Sequence, residues 1–113
     1  MQKSEKFKQA FLLHQQGKLT AARDIYLEIL KTEPDNHEVL DLLGVLFLQA
    51  GEYERSEDCI KKAIEIHPDA YYLENLGKLY HQADRHQDAI EVYEILTKIK
   101  PQNYEYQFGL AMA

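Results

Sequence analysis

Apolar residues recur at intervals of three and four along nearly the whole chain, the period of one buried helix face. The stretch "LENLGKLY" is typical: Leu73, Leu76, Gly77 and Tyr80 form one stripe, with polar residues between them. The pattern predicts helices at about 4–16, 19–32, 37–50, 53–66, 70–83 and 86–99, and a last short piece from about 104. The connections are short, so consecutive helices run antiparallel. "QQGKL", "QAGEY" and "QADRH" form the turns inside each pair, and proline-containing turns join one pair to the next.

The pattern also repeats over a longer distance. Pro34, Pro68 and Pro101 are spaced 34 and 33 residues apart, each after a charged end to an apolar helix. A proline ends a helix because it cannot extend the hydrogen-bond ladder. The same spacing relates Ala10, Gly44 and Gly77; Ala22, Ser56 and Ala89; Tyr26, Ile60 and Tyr93; and Gly17, Gly51 and Asp84. The missing residue falls between Pro68 and Leu73, where "PDAYYL" replaces "PDNHEVL". An internal period of this size points to a solenoid of stacked helix pairs.

Gly77 raises a specific question, because glycine costs roughly 1 kcal/mol against alanine inside a helix. Close approach within an antiparallel pair answers it. Gly44 is expected to face the slot of Ser56, Gly77 that of Ala89, and Ala10 that of Ala22. Larger residues then interlock around the contact: Leu43 and Phe47 with Ile60, and Leu76 and Tyr80 with Tyr93.

These residues resemble the tetratricopeptide repeat (TPR), whose pattern is W-x2-L-G-x2-Y, then A-x3-F, then P. The third unit carries it as Leu73, Leu76, Gly77, Tyr80, Ala89, Tyr93 and Pro101, and the second as Leu40, Leu43, Gly44, Phe47, Ser56, Ile60 and Pro68. The first is degenerate at Lys6, Gln9, Ala10 and Leu13, then regular at Ala22, Tyr26 and Pro34. The expected fold is all-α, a right-handed α-solenoid of antiparallel pairs. It has units at about 3–36, 37–69 and 70–102 and a truncated fourth first-helix over 103–113. A polar first helix suits the end of a stack. The unfinished last unit, with Phe108, Leu110 and Met112, suggests the N-terminal part of a longer protein.

The resemblance implies that the first helix of each pair lines a concave groove that binds a protein or peptide. The candidates are the first-helix residues off the packing stripe. They are Phe7, Phe11, His14 and Gln15; then Glu38, Asp41, Val45, Leu48 and Gln49; then Tyr71, Glu74, Asn75, Lys78, His81 and Gln82. Gln15, Gln49 and Gln82 share one slot, either an amide ladder for a peptide backbone or a solvent-facing row. Phe7 and Phe11, one turn apart, are either an apolar pocket or shifted core residues. Glu38, Asp41 and Glu74 either bias the groove toward a neutral or basic peptide or are scattered surface charge. In some co-chaperone TPR domains a carboxylate clamp occupies the slots held here by Phe7, Phe11, Leu42, Tyr71 and Asn75, of which only Asn75 suits that chemistry. An asparagine ladder found in other TPR arrays would use Asn75, but Lys8 and Leu42 fill the neighbouring rungs.

Composition narrows the alternatives. The net charge of −6 without a basic block disfavours nucleic acid, whose binding requires neutralised phosphates. No stretch approaches the ~20 apolar residues of a membrane span. The charged N-terminus has no apolar signal-peptide core, and a single cysteine, Cys59, gives no internal disulfide, so a cytoplasmic location is expected. Glu57 and Asp58 beside Cys59 would raise its thiol, the wrong direction for a nucleophile. His81, Asp84, His86 and Asp88 crowd one turn but match no zinc spacing. No catalytic set, cofactor or metal is expected. The leading expectation is a protein-binding scaffold. The alternatives are a TPR segment of a larger glycosyltransferase or methyltransferase, serving substrate presentation or dimerisation, and self-association through the last helix.

Overall fold

The computed structural model describes residues 4–100, and the predicted seventh helix lies outside them. Within that range the chain forms α1 (Glu5–Gln15), α2 (Leu19–Thr32), α3 (His37–Gln49), α4 (Tyr53–Ile66), α5 (Ala70–Gln82) and α6 (His86–Ile99). There is no strand among the described residues. The helices pair as α1–α2, α3–α4 and α5–α6. Successive pairs meet through α2 on α3 and α4 on α5, and α3 also touches α5. This is the all-α solenoid expected from the period.

Each helix end has a local cause. Glu33, His67 and Lys100 precede the three prolines and have left the helical region, with φ of −131°, −146° and −134°. A following proline disfavours helical backbone at that position, so the second helix of each pair stops one residue before it. The turns within pairs close differently. Gly17 and Gly51 take φ of +78° and Asp84 takes φ of 59°. The next residues, Lys18, Glu52 and Arg85, donate their N–H groups back to the carbonyls of Leu13, Phe47 and Tyr80. That left-handed residue with its long back-bond is the Schellman helix ending.

The first helix of each pair is entered through a side-chain cap: Ser4, Asn36 and Asp69 accept from the N–H groups of Phe7, Val39 and Tyr71. The second helices, entered from the tight turn, have no such bond. The single-residue shortening lies in the turn before α5. Four residues, 33–36, separate α2 from α3, and three, 67–69, separate α4 from α5.

Ala10, Ala22, Ser56 and Ala89 are fully buried at the closest approach of their pairs. A Cβ added to Gly44 would lie 2.5 Å from Ile60 Cγ1 and 3.2 Å from the Ser56 carbonyl oxygen. The Ser56 hydroxyl also donates to the Gly44 carbonyl at 2.7 Å, a bond the repeat pattern does not announce. At Gly77 the nearest atoms belong to Tyr93, with Cζ at 2.8 Å from the added Cβ, and not to Ala89. Tyr93, in the repeat slot of Ile60, thus takes the space nearest the absent Cβ of Gly77, and Ala89, in the slot of Ser56, is fully buried. Around these contacts Tyr26, Leu43, Leu46 and Phe47 build an N-terminal core, and Leu48, Ile60, Leu76, Leu79 and Leu96 a C-terminal one. Leu40, Ala63 and Tyr72 join the two halves.

On the outer side Glu57 ties the second pair to the third. It accepts from Arg85 Nη1 at 2.8 Å and from the Tyr80 hydroxyl at 2.6 Å, with Lys61 Nζ at 3.1 Å. The Arg85 guanidinium also lies 4.6 Å from the Tyr80 ring centroid, within cation–π reach. Burial acts to raise the Glu57 carboxyl, but bonds from Arg85, Tyr80 and Lys61 outweigh it and hold it down at about 2.

These backbone contacts carry two stability predictions. Gly44→Ala and Gly77→Ala gain about 1 kcal/mol of helix propensity but overpack the pair, so each should be net destabilising by roughly 1–2 kcal/mol in denaturant unfolding. Gly44→Ala should be the worse, because Ser56 backbone lies against it; an unchanged midpoint would show that the pairs relax freely. Asp84→Gly relieves a non-glycine residue from the left-handed region and should raise stability by about 0.5–1 kcal/mol in the same assay.

Candidate functional site

A groove of about 970 Å³ opens on the side of the stack formed by the first helices. Its lining comes from α1 (Phe7, Lys8, Phe11, Leu12, Gln15), α3 (His37, Glu38, Asp41, Leu42), α5 (Tyr71, Tyr72) and the turn before α5 (His67, Asp69). No residue within α2, α4 or α6 contributes. The alternation of helices explains this: each second helix is spent on closing its own pair and carrying the next.

The α1 flank is aromatic. Phe7 and Phe11 stack with centroids 6.3 Å apart and planes 9° from parallel. Phe7 also packs against the N-terminal core, whereas Phe11 is 38% exposed and the adjacent Leu12 is 55% exposed. Phe7 is thus shared between core and groove, and Phe11 faces the groove. On the far flank Tyr71 is 56% exposed.

The middle of the groove is polar. Asp41, only 1% exposed, accepts from Asn75 Nδ2 at 3.1 and 3.0 Å through its two oxygens. Burial raises its carboxyl to about 6; the Asn75 bond opposes this and Asp69 adds to it. The Tyr72 hydroxyl lies 2.7 Å from His37 Nδ1, and the His37 and His67 rings stack at 4.3 Å. Tyr72 is pushed up to about 12, by burial first and then by the charges of Asp41, Glu38 and Asp69.

The residues expected in the groove divide. Phe7, Phe11, Gln15, Glu38, Asp41 and Tyr71 line it. His14 is buried under it: its Nδ1 meets the Tyr26 hydroxyl at 3.0 Å, and its Nε2 donates to Gln49 Oε1 at 2.7 Å. Gln49 thus has its amide oxygen engaged by the first pair. Asn75 is buried and turned to Asp41, and Leu48 is buried in the C-terminal core. Val45 and Glu74 are half-buried, and Lys78 and Gln82 are exposed, all outside the lining. His81 lies against Tyr93, with centroids 5.7 Å apart. Of the five clamp slots, Phe7, Phe11, Leu42 and Tyr71 line the groove and Asn75 does not.

Helical periodicity does not reach His37, His67 and Asp69, because they sit at helix entries, outside the helical stripes. Their position just before or at the start of a first helix is the available signal, since those ends open on the groove side. Among the described residues no group of three or more His, Cys, Asp or Glu side chains is placed to hold a metal ion. The Cys59 thiol is raised to about 11, by burial first and by Asp58 second. The contribution expected from Glu57 is absent from these causes, and the Glu57 carboxylate is engaged with Arg85, Tyr80 and Lys61.

Asp41 gives a pH signature. Its folded value lies above its ordinary 3.8, so between 3.8 and about 6 the fold holds a proton that the unfolded chain has released. Its stabilising contribution is complete below 3.8 and lost as pH rises through about 6. Asp41→Asn should remove this slope, so the variant gains on the wild type as pH rises through that window in stepped-pH denaturant unfolding. Parallel curves would show that Asp41 does not titrate there.

Comparison with known proteins bears on the fold. A tetratricopeptide repeat model matches residues 42–104, and a second matches residues 6–36. Protein O-mannosyl-transferase TMTC1 of Homo sapiens is 29% identical over 76 residues, covering 67% of this chain and 9% of that protein. The peroxisomal targeting signal receptor of Candida albicans is 32% identical over 72 residues, 63% of this chain and 12% of the receptor. The chain therefore corresponds to only a small part of these relatives. The first TPR of Spaghetti (RPAP3), solved bound to the HSP90 peptide SRMEEVD, superimposes with a TM-score of 0.85 at 17% identity, over 94% of this chain and 85% of that one. An O-GlcNAc transferase mutant of Thermobaculum terrenum gives 0.80 at 22% identity, over 96% of this chain and 22% of that one. No described helix is long and apolar enough to cross a membrane. With a family model matching more than half of its length, and a stack of three glycine- or alanine-closed helix pairs beneath it, the chain belongs to the tetratricopeptide repeat family.

Proposed function

We propose that this chain is a protein-interaction module that binds an extended segment of another polypeptide in the groove lined by α1, α3 and α5, and that it binds rather than catalyses. The observation that carries this reading is the groove itself. It presents exposed Phe11, Leu12 and Tyr71 beside a polar middle, which is how ligand sites combine apolar area with a few orienting groups. The likeness to a TPR solved with a bound peptide, and to a targeting-signal receptor, supports the same class of activity. Partner-contacting residues are then Phe7, Phe11, Gln15, Glu38 and Tyr71, with Asp41 beneath them acting through its charge. Of the expected set outside the lining, His14, Leu48, Gln49 and Asn75 hold the helices that carry it.

A second reading draws on the likeness to an O-mannosyl-transferase and an O-GlcNAc transferase: the segment presents substrate to, or dimerises, a larger enzyme. The substrate-presenting form of that reading uses the same binding step. Dimerisation instead predicts a molecular mass that rises with concentration in sedimentation.

Display of random peptides tests the binding step. Selected peptides should bind the wild-type chain and lose roughly tenfold or more in affinity against Phe11→Ala/Tyr71→Ala, since exposed aromatic anchors dominate such contacts. Leu27→Ala, on α2 and off the groove, should leave binding unchanged. Equal affinity for the groove variant, or no selected binders, overturns the reading.

A further inference from the structure

We infer that the groove selects a peptide segment in which a lysine or arginine side chain is flanked by bulky apolar ones. The inference rests on the reading of the groove as a polypeptide site and adds the chemistry of its occupant. Three carboxylates, Glu38, Asp41 and Asp69, line the groove against one lysine, Lys8. Lys8 Nζ lies 3.7 Å from Glu5, at the start of its own helix. Among the described residues neither Asp41 nor Asp69 is paired with a lysine or arginine. Asp41 has the neutral amide of Asn75, and Asp69 has the Tyr71 N–H at 2.8 Å and His67 at 3.9 Å.

The molecule contains its own comparison. Glu57, on the outer side, has Arg85, Lys61 and the Tyr80 hydroxyl gathered on it. Where the fold uses a partly buried carboxylate for structure, it supplies cations within hydrogen-bonding distance. In the groove it leaves a 1% exposed carboxylate with an amide alone and brings a second carboxylate close enough to raise it. A cation paired with the accessible Asp69 would sit over Asp41 and offset its charge through space, as Arg85 offsets that of Glu57 by direct contact. Potentials across a binding surface match in this manner, and charge fixes register and selectivity more than raw affinity.

The apolar requirement follows from the order of the helices. Phe7, Phe11 and Leu12 lie on α1 and Tyr71 on α5, with Glu38 and Asp41 on α3, the first helix of the pair between them. Apolar side chains on both sides of the basic one would cover these exposed surfaces, and the Tyr71 ring can also take a cation on its face.

The test uses an array of randomised heptapeptides blocked at both ends, so that a free terminal amine cannot substitute for a side chain. The purified chain should enrich lysine or arginine at one position with leucine, isoleucine, phenylalanine or tyrosine beside it. Replacing the basic residue of a selected peptide by glutamine should cost roughly tenfold in affinity. Asp41→Asn should erase most of that difference. Glu38→Gln/Asp69→Asn provides a second variant, which removes charge while keeping a side-chain oxygen to cap α5. Enrichment of acidic or uncharged sequences, or a basic preference that survives both variants, overturns the inference while leaving the groove a peptide site. Absence of any selection removes both.

Discussion

Everything on the groove side depends on how closely two antiparallel helices can approach. In the second and third pairs that distance is set by an absent side chain. Without a Cβ at Gly44, Ile60 seats against the α3 backbone; without one at Gly77, the Tyr93 ring does the same against α5. The first pair closes on Ala10 and Ala22, both fully buried, with Tyr26 anchored to His14. Because the second helix of each pair is fixed by this contact, the first helix presents a defined face to the groove. The helix propensity lost at each glycine is offset by packing, where a buried side chain contributes roughly 1.5–3 kcal/mol.

Stacking one pair on the next follows a different chemistry. Among the described residues five contacts join neighbouring pairs through polar atoms: His14 with Gln49, His37 with Tyr72, Asp41 with Asn75, and Glu57 with both Tyr80 and Arg85. Apolar surface alone would tolerate sliding, since one leucine packs much like another. The buried Asp41–Asn75 bond tolerates no such shift, because a misplaced donor or acceptor there is left unsatisfied at a cost of about 1–3 kcal/mol, and the part-buried bonds add to it in smaller measure. These bonds fix the rotation of one pair on the next, and with it the shape of the groove they adjoin.

The architecture was legible because its causes are local. Proline, the left-handed turn slot and the three-to-four apolar period each act within a few residues, so the limits of α1 to α6 fell within one residue of those observed. The groove was legible only in part. An off-stripe residue on a first helix can face the groove or the neighbouring pair, and period alone does not distinguish them. Phe11 and Tyr71 face the groove. His14, Leu48 and Asn75, from the same class of position, are buried. Their partners or neighbours lie on other helices, up to 34 or 35 residues away for Asn75 and His14, beyond the reach of any local rule. At Gly77, too, slot matching named Ala89, whereas the atoms nearest the absent Cβ are those of Tyr93, one turn on.

The shortened turn before α5 connects these themes. The turn before α3 ends in Asn36, a neutral cap outside the groove lining. The turn before α5 is one residue shorter, and its cap is Asp69, which lines the groove. Either residue type satisfies a helix N-terminus comparably well, so capping alone does not demand the charge. Its charge also acts elsewhere, adding to the burial that raises the Asp41 carboxyl on α3 and the Tyr72 hydroxyl on its own α5. A repeat protein built from near-identical units has few places to vary without disturbing its packing. A cap is one of them, because it must accept a hydrogen bond whatever its charge. At position 69 that freedom places a carboxylate where it acts on the groove and on the helix at once.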